Sequence, residues 1–271
     1  DQAWTTLYNR LEKDGLITQA ETPRPSLRLT AFKWTAAAVI LLCTYLSINY
    51  FNQTEKVIDR NLLTRQNMET TTLATTLEDG SIVYLAGNAA IHYPEHFQPD
   101  KREISLQGNA LFDIAGNRKR PFLIETEDAR IEVLGTAFNV KSDGSQPFEL
   151  SVQRGLVKVT LKKSGQDVHV KAGETVTLSS RKLQVRQTKD TGQFEEYVRQ
   201  IRFKDERLAD ILRVINLNAE NISLKTTPEL ESRTLTVTFA DNSPETMAEL
   251  ICFALDLKCT RENNVITLHE N

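Results

Sequence analysis

Residues 77–97 read Leu77-Glu78-Asp79-Gly80-Ser81-Ile82-Val83-Tyr84-Leu85-Ala86-Gly87-Asn88-Ala89-Ala90-Ile91-His92-Tyr93-Pro94-Glu95-His96-Phe97. Ile82/Tyr84 and Ile91/Tyr93 are large apolar residues two apart, and Asp79-Gly80 and Gly87-Asn88 punctuate them. Alternation with period two puts one set of side chains on one face of a strand. Asp-Gly and Gly-Asn accept the positive φ of tight turns. The stretch is therefore two strands joined by short turns.

The same grammar continues downstream. Ile104/Leu106, Phe112/Ile114, Phe122/Ile124, Ile131/Val133, Phe138/Val140 and Leu150/Val152 alternate, as do Val157/Val159/Leu161, Val168/Val170, Val176/Leu178 and Leu183/Val185. Gly116-Asn117, Asp143-Gly144, Ser164-Gly165 and Ala172-Gly173 separate them. Short strands at this spacing predict an all-β domain over 71–190, built as a sandwich, barrel or solenoid.

Beyond residue 192 the period changes. Ile201/Phe203 predict a strand, Asp205 a helix cap, and Leu208, Ile211, Leu212 and Ile215 the apolar face of the helix that follows. Ile222/Leu224 and Leu235/Val237/Phe239 read as strands, and Ser243-Pro244 starts a second helix carrying Met247, Leu250, Ile251, Ala254 and Leu255. A last hairpin runs through 257–259 and 265–268. Phe203-Lys204-Asp205 and Phe239-Ala240-Asp241 stand at matching places before the two helices. The tail, 195–271, is thus predicted as a small βαβ-repeat α+β module.

Upstream the pattern is different again. No residue from Trp34 to Thr54 carries a charge. As a helix, 34–51 would be about 27 Å long, close to a bilayer's hydrocarbon thickness. Trp34, Tyr50 and Phe51 mark its ends, where amphipathic rings favour the headgroup level. Ser47 and Asn49 weaken its last turn. The reading is a single transmembrane helix, an uncleaved anchor rather than a signal peptide. Arg24, Arg28 and Lys33 before it, against Lys56 and Arg60 after it, lean toward a cytoplasmic N-terminus. Residues 52–70 read as a linker. In 1–33, Trp4, Leu7, Tyr8 and Leu11 recur at helical spacing and Gly15 stops the helix. One apolar stripe on a short helix needs a membrane or a partner to cover it; a solvated tail is the alternative.

Composition excludes some classes. The 271 residues carry a net charge of −3, so nothing favours nucleic acid as a direct partner. Of the three cysteines, Cys43 falls in the span. Cys252 and Cys259 either pair in an oxidising compartment or stay free thiols.

Chemistry is sparse. His92-Tyr93-Pro94-Glu95-His96 matches H-x-x-E-H, a zinc pattern that works when a helix sets both histidines on one face. Pro94 and the β context deny that helix, so these are loop residues at a strand end and no metal site is expected. No nucleophile elbow, phosphate loop or dinucleotide fingerprint occurs, and no cofactor is expected.

The order of the β motifs adds a resemblance. Residues 77–85, Ile91-His92-Tyr93-Pro94, Leu106-Gln107-Gly108-Asn109-Ala110-Leu111-Phe112-Asp113-Ile114 and Arg120-Pro121-Phe122-Leu123-Ile124 come first. Val133-Leu134-Gly135-Thr136-Ala137-Phe138-Asn139-Val140, Arg154-Gly155-Leu156-Val157-Lys158-Val159 and Ala172-Gly173-Glu174 follow. The series resembles the periplasmic domain of FecR-type anti-sigma factors, over about residues 70–180. The tail is similar to the small domain at the N-termini of secretins and TonB-dependent receptors.

That resemblance implies an inner-membrane, single-pass protein with its C-terminal domains in the periplasm. Its segment 1–33, shorter than in many relatives, would bind an extracytoplasmic-function sigma factor through Trp4, Leu7, Tyr8 and Leu11. The C-terminal module would meet the signalling domain of a TonB-dependent outer-membrane receptor through Ile222, Leu224, Leu235, Val237 and Phe239. Nutrient or iron arrival would then be relayed to transcription, with envelope proteases cutting stepwise. Some members cleave themselves at a bond like Gly135-Thr136; otherwise the pair is a turn, with glycine supplying geometry and threonine a cap. The other readings are an envelope assembly protein that binds no sigma factor, and a periplasmic hydrolase using His92 and His96.

Overall fold

The computed structural model describes residues 2–16, 42–45, 62–190 and 192–271. The chain divides into two units, Asp1–Arg60 and Asn61–Asn271. In the first, α1 (Gln2–Lys13) ends as expected: Gly15 adopts a left-handed φ of 69°. There the Leu16 N–H reaches back to the Leu11 carbonyl at 3.0 Å, the 6→1 bond of a Schellman ending. Residues 42–45 are helical. The rest of the predicted span lies outside the described residues, and no described helix is long and apolar enough to cross a membrane.

The second unit is mainly β. Its strands are β1 (Leu62–Gln66), β2 (Thr72–Thr76), β3 (Ile82–Leu85), β4 (Ala90–Pro94), β5 (Arg102–Gln107), β6 (Ala110–Asp113) and β7 (Phe122–Glu125), then β8 (Ala129–Val133), β9 (Ala137–Lys141), β10 (Glu149–Arg154), β11 (Leu156–Leu161), β12 (Asp167–Lys171), β13 (Glu174–Ser179) and β14 (Lys182–Gln187). Every alternating pair read between Ile82 and Val185 falls in one of them, save Ile114, which follows β6 directly. A 3-10 turn (Gly192–Phe194) and α2 (Glu196–Arg199) lead to β15 (Gln200–Arg207), α3 (Leu208–Asn218) and β16 (Ser223–Thr226). Next come β17 (Thr234–Ala240), α4 (Pro244–Leu255), β18 (Leu257–Glu262) and β19 (Val265–Glu270).

A seven-stranded sheet runs β1-β4-β5-β7-β8-β11-β12, and a nine-stranded sheet runs β14-β13-β10-β9-β6-β3-β2-β15-β17. One core takes side chains from both, including Val83, Phe112, Phe138 and Val152 from the larger and Ile104, Phe122, Ile131 and Val159 from the smaller. The β domain is therefore a sandwich. The larger sheet buries its other face too. Ala74, Ile82, Tyr84 and Leu111 join a second core with Leu208, Ile211, Val214, Ile251 and Phe239. In β3 all four residues are buried, odd positions in the first core and even ones in the second.

Three expectations change. Part of the stretch read as linker is β1, which pairs with β4 from Leu62↔Pro94 to Gln66↔Ala90. Its side chains are almost all exposed, so main-chain pairing holds it and hydropathy carries no sign of it. The tail does not stand apart from the sandwich: β15 lies parallel to β2, with Ile201↔Thr72 and Phe203↔Ala74. Asp205 does not cap α3. It sits with φ 53° where β15 shifts register, donating its N–H to Thr236 Oγ1 at 3.0 Å. The first N–H groups of α3 go instead to the Arg233 and Glu231 carbonyls. Ser243 does cap α4, accepting the Thr246 N–H. The sequence repeat has a physical counterpart: Asp241 shares the left-handed conformation (φ 51°), and the Phe203 and Phe239 rings meet edge to face at 6.1 Å.

The joint between tail and sandwich holds a buried carboxylate. Thr75 Oγ1 donates to Glu206 Oε1 at 2.7 Å, and Arg65 of β1 lies 3.9 Å away. Burial pushes the Glu206 carboxyl above its usual range, against the hydrogen bond from Thr75 and the charge of Arg65. Arg202 and Glu69 form an ion pair across the same joint.

Candidate functional site

On α1 the i, i+3, i+4 and i+7 spacing sets Trp4, Leu7, Tyr8 and Leu11 on one side. Trp4 is 71% exposed, Leu7 and Tyr8 are exposed and Leu11 is half-buried, and no residue of the helix is buried. Tryptophan, tyrosine and leucine on one exposed face supply large contact area at low entropic cost. Arg10 and Lys13 occupy the last turn, where they oppose the negative end of the helix.

The residues expected to face a receptor divide. Leu224 and Phe239 are fully buried in the second core, so their side chains serve packing and are corrected from contact residues to core. Ile222, Leu235 and Val237 are half-buried against that core. What β17 presents is main chain: it pairs with β15 on one side and ends the nine-stranded sheet. An edge strand offers unpaired N–H and C=O groups to another chain.

Cys252 and Cys259 are bonded, Cα atoms 6.3 Å apart, tying the end of α4 to β18. A loop this short is worth about 2–3 kcal/mol on a chain-entropy argument. Reduction, or Cys259→Ser, is expected to lower the Tm of the unit Asn61–Asn271 by about 5–10 °C. Calorimetry with and without a thiol reductant checks it, and an unchanged Tm overturns it.

Gly135 and Thr136 lie between β8 and β9, in the crossing from one sheet to the other. Gly135 has φ 155°, and a Cβ there would stand 2.6 Å from the Gly116 Cα. Thr136 is 2% exposed. Its main-chain carbonyl accepts the Ile114 N–H at 2.9 Å, but its Oγ1 has no hydrogen-bond partner. The hydroxyl is not a cap. Half-exposed Leu134 and Leu156 border a cleft of about 440 Å³ over this bond. A buried hydroxyl without a partner is costly, which singles out Thr136 in a turn that glycine geometry alone would serve.

His92 and His96 turn to separate partners. Thr64 Oγ1 meets His92 Nδ1 at 2.8 Å, and His96 Nδ1 meets Glu78 Oε2 at 2.9 Å. The hydrogen bond to Glu78 raises the His96 pKa. Among the described residues no group of three or more potential ligands converges.

Sequence reasoning passed over Arg102. It is 1% exposed, donates from Nη1 to Asp79 Oδ2 at 2.6 Å and to the Ala115 carbonyl at 2.9 Å, and lies over the Phe122 ring. Only its place before the Ile104/Leu106 alternation, on the inward parity, marks it.

Residues 66–158 match the model of the FecR protein family. No curated protein matches the chain. Two crystal structures of a candidate anti-sigma factor from Parabacteroides distasonis ATCC 8503 are similar in fold. One is 20% identical over 78% of this chain and 99% of that chain, with a TM-score of 0.48. The other is 19% identical over 77% and 99%, with a TM-score of 0.47.

Proposed function

We propose that the chain is an anti-sigma factor, carrying a signal from a TonB-dependent outer-membrane receptor to an extracytoplasmic-function sigma factor; the match of residues 66–158 to the FecR family model supports the anti-sigma part of this reading. The observation that carries the reading is the exposed Trp4/Leu7/Tyr8 face of α1, which buries nothing in its own unit. That face is the sigma-factor grip. The segment 34–51 crosses the inner membrane with the N-terminus cytoplasmic, and 62–271 lies in the periplasm. The bonded Cys252 and Cys259 support an oxidising compartment for the tail. Release follows from envelope proteases cutting the chain, because a single helix transmits little by rigid motion.

Co-purification tests it. The full-length chain is expected to retain its sigma factor from detergent extracts. A chain that retains none is an envelope assembly protein instead.

A second reading attaches to the β domain and rests on the unpartnered Thr136 hydroxyl: the chain cuts itself. Thr136 Oγ adds to the Gly135 carbonyl carbon, the Gly135–Thr136 C–N bond breaks, and the nitrogen takes the hydroxyl's proton to become a free amine. Water then hydrolyses the ester, leaving a carboxylate on Gly135 and restoring the hydroxyl. Intact mass is expected to show two fragments summing to the full chain plus one water, and Thr136→Ala a single mass. A single full-length mass of the unaltered protein, stable for days, overturns it.

A further inference from the structure

The tail has an open strand edge besides β17. β16 pairs parallel with β19 on one side, from Ser223↔Val265 to Thr226↔Leu268. It is an outer strand of the three-stranded sheet β16-β19-β18, and among the described residues no strand pairs with its other side. There Asn216 makes a paired contact. Its Nδ2 donates to the Leu224 carbonyl at 2.8 Å, and the Leu224 N–H donates to its Oδ1 at 2.7 Å. A carboxamide bonded to both main-chain groups of one residue reproduces what the peptide group of a neighbouring strand would do. Asn216 holds the position of a missing strand.

A groove of about 540 Å³ runs alongside, between α3 and β16. Leu217, 53% exposed, is its apolar wall, standing over the buried Leu212 and Leu224. Arg213, Lys225 and Glu231 line it too, two cations against one anion. Arg213 reaches across to Gly80, where a Cβ would lie 2.3 Å from its Nη1. Glycine in that turn makes room for the cation at the groove. β17 offers no comparable wall: Thr234, Thr236 and Thr238 are exposed along it, and the Ala240 N–H is already taken by Asn242 Oδ1.

We propose that β16 is the strand acceptor of the tail: an extended, acidic segment of its partner displaces Asn216 from Leu224, pairs with β16 and lays alternate apolar side chains into the α3–β16 groove. The inference rests on the reading that the chain takes its signal from a receptor, and it names the strand edge of the tail that receives it. Main-chain pairing gives affinity, exposed Leu217 favours apolar residues on the groove side of the added strand, and Arg213 with Lys225 selects acidic over basic strands.

The test uses the full chain and two synthetic peptides, one alternating valine with glutamate, the other valine with lysine. Hydrogen exchange by mass spectrometry locates binding. The glutamate peptide is expected to slow exchange over 222–226 and to bind at least tenfold tighter than the lysine peptide. Asn216→Ala frees the edge and is expected to tighten binding roughly 2- to 10-fold, the worth of the hydrogen bonding that must otherwise be displaced. Lys225→Glu, a surface change that leaves folding intact, is expected to abolish the preference. Protection confined to 234–240, no protection with either peptide, or equal binding of both overturns the proposal. A chain that takes the peptide at β16 but retains no sigma factor overturns the relay alone. One that retains the sigma factor without protection at 222–226 overturns this inference alone.

Discussion

Arg102→Met is expected to lower the unfolding free energy by about 3–5 kcal/mol, a large part of the 5–15 kcal/mol typical of a domain. Arg102 opens β5 in the smaller sheet, and Asp79 sits in the turn between β2 and β3 of the larger one. Their bond closes one end of the sandwich. Methionine keeps the apolar stem against Phe122 but removes the bonds to Asp79 and to the carbonyls of Ala115 and Arg120. Asp79, 9% exposed, then keeps only the Ser81 N–H and hydroxyl for a charge that water barely solvates. The cost is mostly that stranded carboxylate, so Arg102→Met with Asp79→Asn is expected to be milder than Arg102→Met alone. Urea unfolding of the unaltered chain and of both variants checks both statements. A single substitution costing under 1 kcal/mol, or a double variant worse than the single, overturns the account.

Arg102 also marks what the sequence could and could not reveal. Alternation is legible where one face of a strand is buried and the other wet, as in β5, with its pattern of buried and half-buried residues. The Asp79-Gly80 turn is legible because its residue types suit the conformation. The ion pair is not: a charge heading a strand looks solvent-facing until its partner, 23 residues away, is folded onto it. The period also fails where both faces are covered. Thr72, Leu73, Ala74 and Thr75 are all buried, since β2 lies between two cores, and threonine-rich strands of that kind read as polar. At the other extreme β1 buries nearly nothing and is defined by its pairing alone. The parallel joint of β15 with β2 belongs to neither local pattern, because it joins residues far apart in the chain. Of the candidate sites, the α1 stripe follows from spacing; the cysteine pair stays open between a bond and two free thiols until the fold brings α4 and β18 together, and the role of Asn216 toward β16 is not legible at all. An asparagine near the end of an apolar helix carries no mark of the main-chain groups it will satisfy.

The second large effect belongs to α1. In the full-length chain, Trp4→Ala with Leu7→Ala is expected to weaken sigma-factor binding by about 4 kcal/mol, close to a thousandfold, because exposed aromatic and leucine anchors on one helix face carry most of such a contact. Unfolding of the β unit is expected to stay unchanged, since these side chains lie in the other unit and bury nothing there. Alanine is the best helix former, so lost binding cannot be lost helix. Asn9 lies on the far side of the wheel, about 140° from Trp4 at 100° per residue, and Asn9→Ala is expected to change binding by less than about 0.5 kcal/mol. Titration of purified sigma factor onto the three chains separates the outcomes. Equal losses from both faces would mean that the stripe does not carry the contact by itself. Undiminished binding by the double variant would remove α1 as the grip, and the anti-sigma reading would lose its contact surface. A loss confined to Trp4 and Leu7 fixes the orientation as well: the stripe faces the sigma factor, and the polar side holding Asn9 faces water.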